Sequence, residues 1–219
     1  MPISCTLPRR CIIIANGEIR DYARHKREIL ETDYIVCADG GTRHALAMGV
    51  VPHVVLGDFD SLPLEVKKVL ADTRCQFYEY PAEKDMTDTE LALNFCLEKN
   101  PEEVVFMGSL GTRYDHSLAN IMLMFAAPPG VRLKVFNEQN EIMLLKEKVH
   151  FCGQPGDIVS VIPLSPEIKG ISTWGLKYML RDESLFLGSS RGISNEMVGT
   201  EATVEIKEGL ALVVRAWEW

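Results

Sequence analysis

Five apolar runs in the first two-thirds of the chain stop abruptly at glycine, aspartate or asparagine. Residues 11–15 end at Asn16-Gly17, 34–38 at Asp39-Gly40-Gly41, 53–56 at Gly57-Asp58, 103–107 at Gly108 and 132–136 at Asn137. Runs this short read as strands, and the unbroken ones, 11–15 and 34–38, as strands buried on both faces. Four of the five lead into helix-like patterns. Thr87 and Glu90 have capping-box spacing ahead of Leu91, Ala92, Phe95 and Cys96. Ser61 can cap a helix with Pro63 in its first turn. Asp115 or Ser117 can cap the stretch 118–125, which closes before Pro128-Pro129-Gly130. Strands alternating with helices predict an α/β fold: a mostly parallel, Rossmann-like sheet with helices on both faces and right-handed crossovers.

The pattern changes after about residue 140. Short β-like segments at 158–162, 170–174, 176–180, 202–206 and 210–214 are separated mostly by glycine and proline. They predict a smaller antiparallel β-sandwich or barrel. The boundary falls between Asn137 and Gln154, and we assign residues 1–142 to the α/β domain and 143–219 to the β domain.

Composition narrows the function. A formal net charge of −8 argues against broad binding to nucleic acid or an anionic membrane. No stretch is long and apolar enough to span a bilayer. The first residues lack the basic-then-apolar order of a signal peptide. Six cysteines are scattered without paired spacing, as expected of reduced core residues in a cytoplasmic protein.

The chemistry concentrates in acidic turns. Apolar strands that end in such turns place carboxylates along one edge of a parallel sheet, where ligands bind. Hard oxygen ligands there suit Mg²⁺, which usually arrives with phosphates. Asp58 and Asp60 are two apart, so in extended chain both carboxylates point to one side. Two readings are open: a cation held between them, or a helix-capping loop. Asp85 and Asp88 flank a helix start. They can complement its dipole, or a carboxylate can reach a metal while Lys84 and free backbone donors face phosphate. Gly108-x-x-Gly111-Thr112-Arg113 resembles a phosphate-cradling turn, with Arg113 offering a planar fork or standing as a surface residue. Asp39-Gly40-Gly41 permits close backbone approach to a ligand, or is an ordinary tight turn. His44 and His116 can be ligands, acid–base groups or structural residues.

Trp174 and Tyr178 beside the polar stretch 189–196 suit a flat heteroaromatic ligand, or else pack as core or interface rings. The P-loop and the G-x-G-x-x-G fingerprint are absent, and the one Gly-x-Ser-x-Gly match, Gly188-Ser189-Ser190-Arg191-Gly192, lies in the β-like second part with no helix pattern after it, unlike a nucleophile elbow. P-loop kinases, classical dehydrogenases and α/β-hydrolases are therefore disfavoured.

Taken together, these segments resemble the thiamin pyrophosphokinase family. The likeness is carried by Ala38-Asp39-Gly40-Gly41, Gly57-Asp58-Phe59-Asp60-Ser61, Lys84-Asp85-x-Thr87-Asp88-Thr89-Glu90, Gly108-x-x-Gly111-x-Arg113-x-Asp115-His116-x-x-x-Asn120, Gly175-Leu176-Lys177-Tyr178 and Ser194-Asn195-Glu196. It implies a nucleotide-binding α/β domain followed by a thiamin-binding and dimerising β-sandwich. It implies transfer of pyrophosphate from ATP to the thiamin hydroxyl, giving thiamin diphosphate and AMP, with Mg²⁺, in a homodimer. Carried onto this chain, Asp58, Asp60 and Asp88 hold Mg²⁺ and the phosphates, and with Arg113 form the catalytic set. Asp39, Gly40, Gly41, Lys84, Asp85, Thr87, Gly108, Gly111, Arg113, Asp115, His116 and Asn120 surround ATP. Tyr178, Ser194 and Asn195 line the thiamin pocket, partly across the dimer. The chain departs from the family pattern at Tyr178, which is tryptophan in some members. It departs also at Trp174, where a smaller or polar residue is expected, and at Met179, where proline is common. The alternatives are Mg²⁺-dependent phosphoryl or nucleotidyl transfer to another small alcohol, and a non-catalytic nucleotide sensor.

Overall fold

A computed structural model describes residues 8–60 and 62–217. The chain divides into two compact units that meet in sequence at Glu138 and Gln139.

The first unit runs β1 (Arg10–Ile14), α1 (Tyr22–Glu28), β2 (Tyr34–Ala38), α2 (Thr42–Ala47), β3 (Val54–Gly57), α3 (Leu64–Ala71), β4 (Gln76–Glu79), α4 (Asp88–Leu97), β5 (Glu103–Met107), α5 (Tyr114–Met122) and β6 (Arg132–Phe136). The strands lie in the order β6-β5-β1-β2-β3-β4, every pair parallel. Cys11, Ile12, Ile13, Ile14, Val54, Val55, Leu56 and the run 104–107 are completely buried. Their continuous apolar character is thus a consequence of cover on both faces.

The structure differs from the sequence reading at two places in this unit. β4 was not foreseen, because all four of its residues are exposed at the sheet's edge and no apolar run marks it. α5 begins at Tyr114, and neither Asp115 nor Ser117 is its N-cap. Asp115 is instead engaged by Arg113, and the Ser117 hydroxyl accepts from the Gly111 amide at 3.0 Å. Ser61 lies outside the described residues. Thr87 does cap α4, its hydroxyl accepting from the Glu90 amide at 3.2 Å.

The second unit holds β7 (Asn140–Leu145), β8 (Lys148–Cys152), β9 (Ile158–Pro163), β10 (Glu167–Trp174), β11 (Glu183–Phe186), β12 (Asn195–Glu196), β13 (Glu201–Glu205) and β14 (Ala211–Ala216). Two antiparallel sheets form, ordered β12-β9-β14-β7 and β11-β10-β13-β8. Leu145, Val159, Val161, Val213, Ile168, Ile171, Leu185 and Val204 join one core between them, so the unit is a β-sandwich. The segment 176–180 is not a strand; it makes a single bridge, Leu176 to Met197. The sequence reading did not include β7, which opens on Asn140-Glu141, or β8, in which Lys148 and His150 alternate with apolar residues.

Candidate active site

The strand order reverses at β1. Its successors β2, β3 and β4 lie on one side, and β5 pairs on the other. The chain therefore leaves β1 and β5 in diverging directions and opens a crevice at their carboxyl ends. Backbone bonds stitch its floor: Gly17 N–H donates to Gly108 O and Glu18 N–H donates to Leu110 O, at 2.6 and 2.8 Å. Glycine is obligatory where these turns meet. A Cβ on Gly41 would stand 2.0 Å from the Ile14 carbonyl oxygen, and Gly108 has φ +59° with Ala15 O 2.6 Å from any added Cβ. The close approach at Gly41 is thus to the protein's own β1.

A cavity of about 580 Å³ occupies this crevice. Asp39 follows β2, Asp58 follows β3, Lys84 follows β4, Thr87 and Asp88 open α4, and Gly108, Gly111 and Arg113 follow β5. His116 and Asn120 of α5 also reach it. Gly40, Gly41, Asp60, Asp85 and Asp115 do not line it. Asn16, Glu18, Arg43 and Thr89 line it and were missed from sequence. Arg43 had a readable signal, being in the first helical turn after Gly40-Gly41.

Two of the acidic turns are conformationally strained. Asp39 has φ +41° and Phe59, between Asp58 and Asp60, has φ +57°. A bulky residue in the left-handed region is uncommon and marks a turn held for a purpose. Asp60 donates its amide to Asp58 Oδ1 at 3.2 Å. Among the described residues, Asp58, Asp60 and Asp88 are not a set of three ligand atoms within 4.8 Å of one another. Asp58 and Asp88, which line the cavity, are hard oxygen donors of the kind that hold a divalent cation together with phosphates and water.

The cationic side is equally specific. Lys84 Nζ sits 2.9 Å from Asp88 Oδ1 and donates to Pro81 O at 3.2 Å. Arg113 forks onto Asp115 at 2.9 and 2.6 Å, which holds that carboxyl well below the usual carboxylate range. Both partners are exposed, so the pair is weak and exchangeable against a phosphate. Asn120 is buried and donates to Ser109 O at 2.7 Å, fixing the β5 turn. His44 is held between Tyr22 Oη and Gly17 O, each at 2.9 Å. Since Gly17 O can only accept, Nε2 carries the proton and Nδ1 accepts from the tyrosine. Burial lowers the His44 pKa, so its ring is a neutral brace for the Gly17 turn.

In the second unit, a cavity of about 400 Å³ is walled by Val159, Val161, Leu176, Tyr178, Arg191 and Asn195, among others. Tyr178 is 64% exposed. Asn195 accepts from the Tyr178 amide at 2.9 Å and donates to the Tyr178 carbonyl at 2.7 Å. Its amide group is thus committed to shaping the 178 turn. Ser194 does not line this cavity; its amide donates to Ser160 Oγ at 3.1 Å. Arg191, paired with Glu183, was missed from sequence.

These two sites correspond to two known domains. Residues 25–135 match the profile of "Thiamin pyrophosphokinase, catalytic domain", and residues 142–211 match "Thiamin pyrophosphokinase, vitamin B1 binding domain". The chain belongs to the thiamin pyrophosphokinase family. A thiamine pyrophosphokinase of Bacillus subtilis is 31% identical over 181 residues, covering 81% of this chain and 85% of that protein. Thiamine pyrophosphokinase 1 of rice is 26% identical over 204 residues, covering 81% and 76%. A crystal structure of the Bacillus subtilis enzyme superposes with a TM-score of 0.85 at 28% identity, covering 96% of this chain and all of that one. Family membership makes the chain an enzyme of thiamin diphosphate synthesis. Its α/β-plus-sandwich architecture is that of thiamin pyrophosphokinase structures. No helix among the described residues is long and apolar enough to cross a membrane.

Proposed function

We propose that the protein transfers the pyrophosphoryl group of ATP to the thiamin hydroxyl, as a cytoplasmic, Mg²⁺-dependent homodimer. One observation carries this reading: the cavity at the carboxyl edge of the parallel sheet gathers Asp39, Asp58 and Asp88 with Lys84, Arg43 and Arg113. Carboxylates and cations converging at a strand-order reversal suit a metal-bound polyphosphate.

In the reaction, the thiamin hydroxyl oxygen attacks the β-phosphorus. The bond from that phosphorus to the oxygen bridging to the α-phosphorus breaks, and AMP departs with that oxygen. Asp58 and Asp88 are the groups to hold Mg²⁺; the ion, when bound, neutralises charge on the phosphate oxygens. Asp60 supports the turn that presents Asp58. Lys84 and Arg113 bind polyphosphate oxygens, and Arg113 leaves Asp115 to do so. Asp58 or Asp88, the carboxylates of the set that line the cavity, takes the hydroxyl proton. Most of the acceleration comes from positioning and charge neutralisation. Tyr178 of the second unit offers its face to the thiamin rings, with Asn195 holding the turn that carries it; Ser194, outside the cavity lining, donates its amide to Ser160.

The test is product analysis with purified protein, ATP, Mg²⁺ and thiamin. AMP and thiamin diphosphate in equal amounts are expected. ADP, or free pyrophosphate with a nucleotidylated acceptor, would overturn the assignment.

A further inference from the structure

The antiparallel pair β8/β13 is apolar on one face and polar on the other. Phe151, Ala202 and Val204 join the sandwich core, and Val149 packs against it. Strand alternation therefore sends Lys148, His150 and Cys152 outward. The register sets Glu205, Thr203 and Glu201 directly across from them. The first row is an ion pair, Lys148 Nζ to Glu205 at 3.4 Å. In the second, His150 Nδ1 lies 3.1 Å from Thr203 Oγ1. The third row sets Cys152 beside Glu201. A ring nitrogen of His150, the sulfur of Cys152 and a carboxylate oxygen of Glu201 all lie within 4.8 Å of one another.

Nitrogen, sulfur and oxygen on one small patch are a poor match for Mg²⁺, which takes oxygen ligands. They match Zn²⁺, which binds imidazole, thiolate and carboxylate with bonds of about 2.0–2.3 Å. Ligand atoms on such a tetrahedron stand about 3.5 Å apart, so small side-chain rotations close the trio around an ion. All three residues are exposed, so an ion can reach them directly and water can fill a fourth position. Thr203 supplies the outer contact that holds the imidazole in place, as partners of metal-bound histidines generally do.

We propose that His150, Cys152 and Glu201 bind one Zn²⁺ per chain, at a site unrelated to the acidic cavity of the first unit. The ion ties β8, the outermost strand of its sheet, to β13. Because this geometry exists only in the folded sandwich, bound Zn²⁺ raises thermal stability without taking part in pyrophosphoryl transfer.

The experiment uses untagged full-length protein stripped with chelator and kept reduced. Co²⁺, a spectroscopic substitute for Zn²⁺, is titrated first. One Co²⁺ per chain is expected, with near-ultraviolet thiolate-to-cobalt absorption that one Zn²⁺ displaces and excess Mg²⁺ leaves intact. Cys152→Ser should abolish that absorption, and His150→Ala and Glu201→Gln should each weaken Zn²⁺ binding roughly tenfold or more. Zn²⁺ should raise the melting temperature of the wild type and not of Cys152→Ser. Absence of stoichiometric binding overturns the proposal. So does Zn²⁺ binding of unchanged affinity in the folded variants, which would place the ion elsewhere.

Discussion

The two cavities are built in opposite ways. The first collects its polar groups from the ends of buried strands, and its turns are locked by backbone bonds between Gly17, Glu18, Gly108 and Leu110. The second is walled by β9, β10 and an irregular segment, and its aromatic face, Tyr178, stands mostly in solvent. A site set in a rigid sheet edge can hold charges in fixed positions, which is what charge stabilisation in a transfer reaction needs. A site carried on a turn grips by packing and depends on whatever pins that turn. Here the pin is Asn195.

That contrast can be broken by substitution. The largest effect should come from Asp58→Asn, with turnover falling roughly 100-fold, the scale of one preorganised electrostatic group. Asp60→Asn, exposed and outside the cavity lining, should cost under about tenfold by the same comparison. Steady-state turnover at saturating Mg²⁺ decides it, and equal losses would mean that both carboxylates act directly on the reactants.

Gly41→Ala tests the rigidity of the first unit. Its methyl group would overlap the Ile14 carbonyl, a backbone atom that cannot swing aside. We expect a loss of about 1–3 kcal/mol in unfolding free energy, read from a urea transition. A wild-type midpoint would show that this sheet edge yields more easily than its packing indicates.

For the second unit, Tyr178→Ala should weaken thiamin binding by about 0.5–2 kcal/mol through loss of an aromatic face for the thiazolium cation. Calorimetry with ATP should show little change. Asn195→Ala should raise KM for thiamin by a smaller factor of about 5, comparable to one lost neutral hydrogen bond, again without altering KM for ATP. Equal weakening of both ligands would erase the functional division between the two cavities.

The smallest effect concerns pH. Burial lowers the His44 pKa from its ordinary value of 6.5. The unfolded chain then binds more protons than the native one, so stability is intact above pH 6.5 and falls as pH drops through that value. His53 shifts in the same direction for the same reason. His44→Gln should flatten this acid slope, measured as the denaturation midpoint between about pH 7.5 and 5.5. An unchanged slope would assign it to other groups.

Much of the first unit was legible because its physics is local. A strand covered on both faces must be apolar throughout, and the turn that follows must tolerate close backbone approach. β1, β2, β3 and β5 announce themselves in this way, whereas Arg132 and Lys134 make β6 half polar. β4 does not, since an exposed edge strand carries no burial signal. The second unit was harder to read. Residues 176–180 have strand-like composition, yet Asn195 holds Tyr178 out of any ladder, and that partner lies far along the chain.

By itself the sequence determined the alternation of strands and helices, the sandwich that follows, and the acidic turns at the strand ends. Those properties depend on neighbours within a few residues. Only the tertiary structure decided which turns share a cavity. It admitted Asp58 and left Asp60 outside, added Arg43 and Glu18, and turned Arg113 onto Asp115. It also set His150 and Cys152 opposite Glu201 across a strand pair. Those outcomes depend on strand order and register, which are settled by how whole elements pack and not by the chemistry of any one segment.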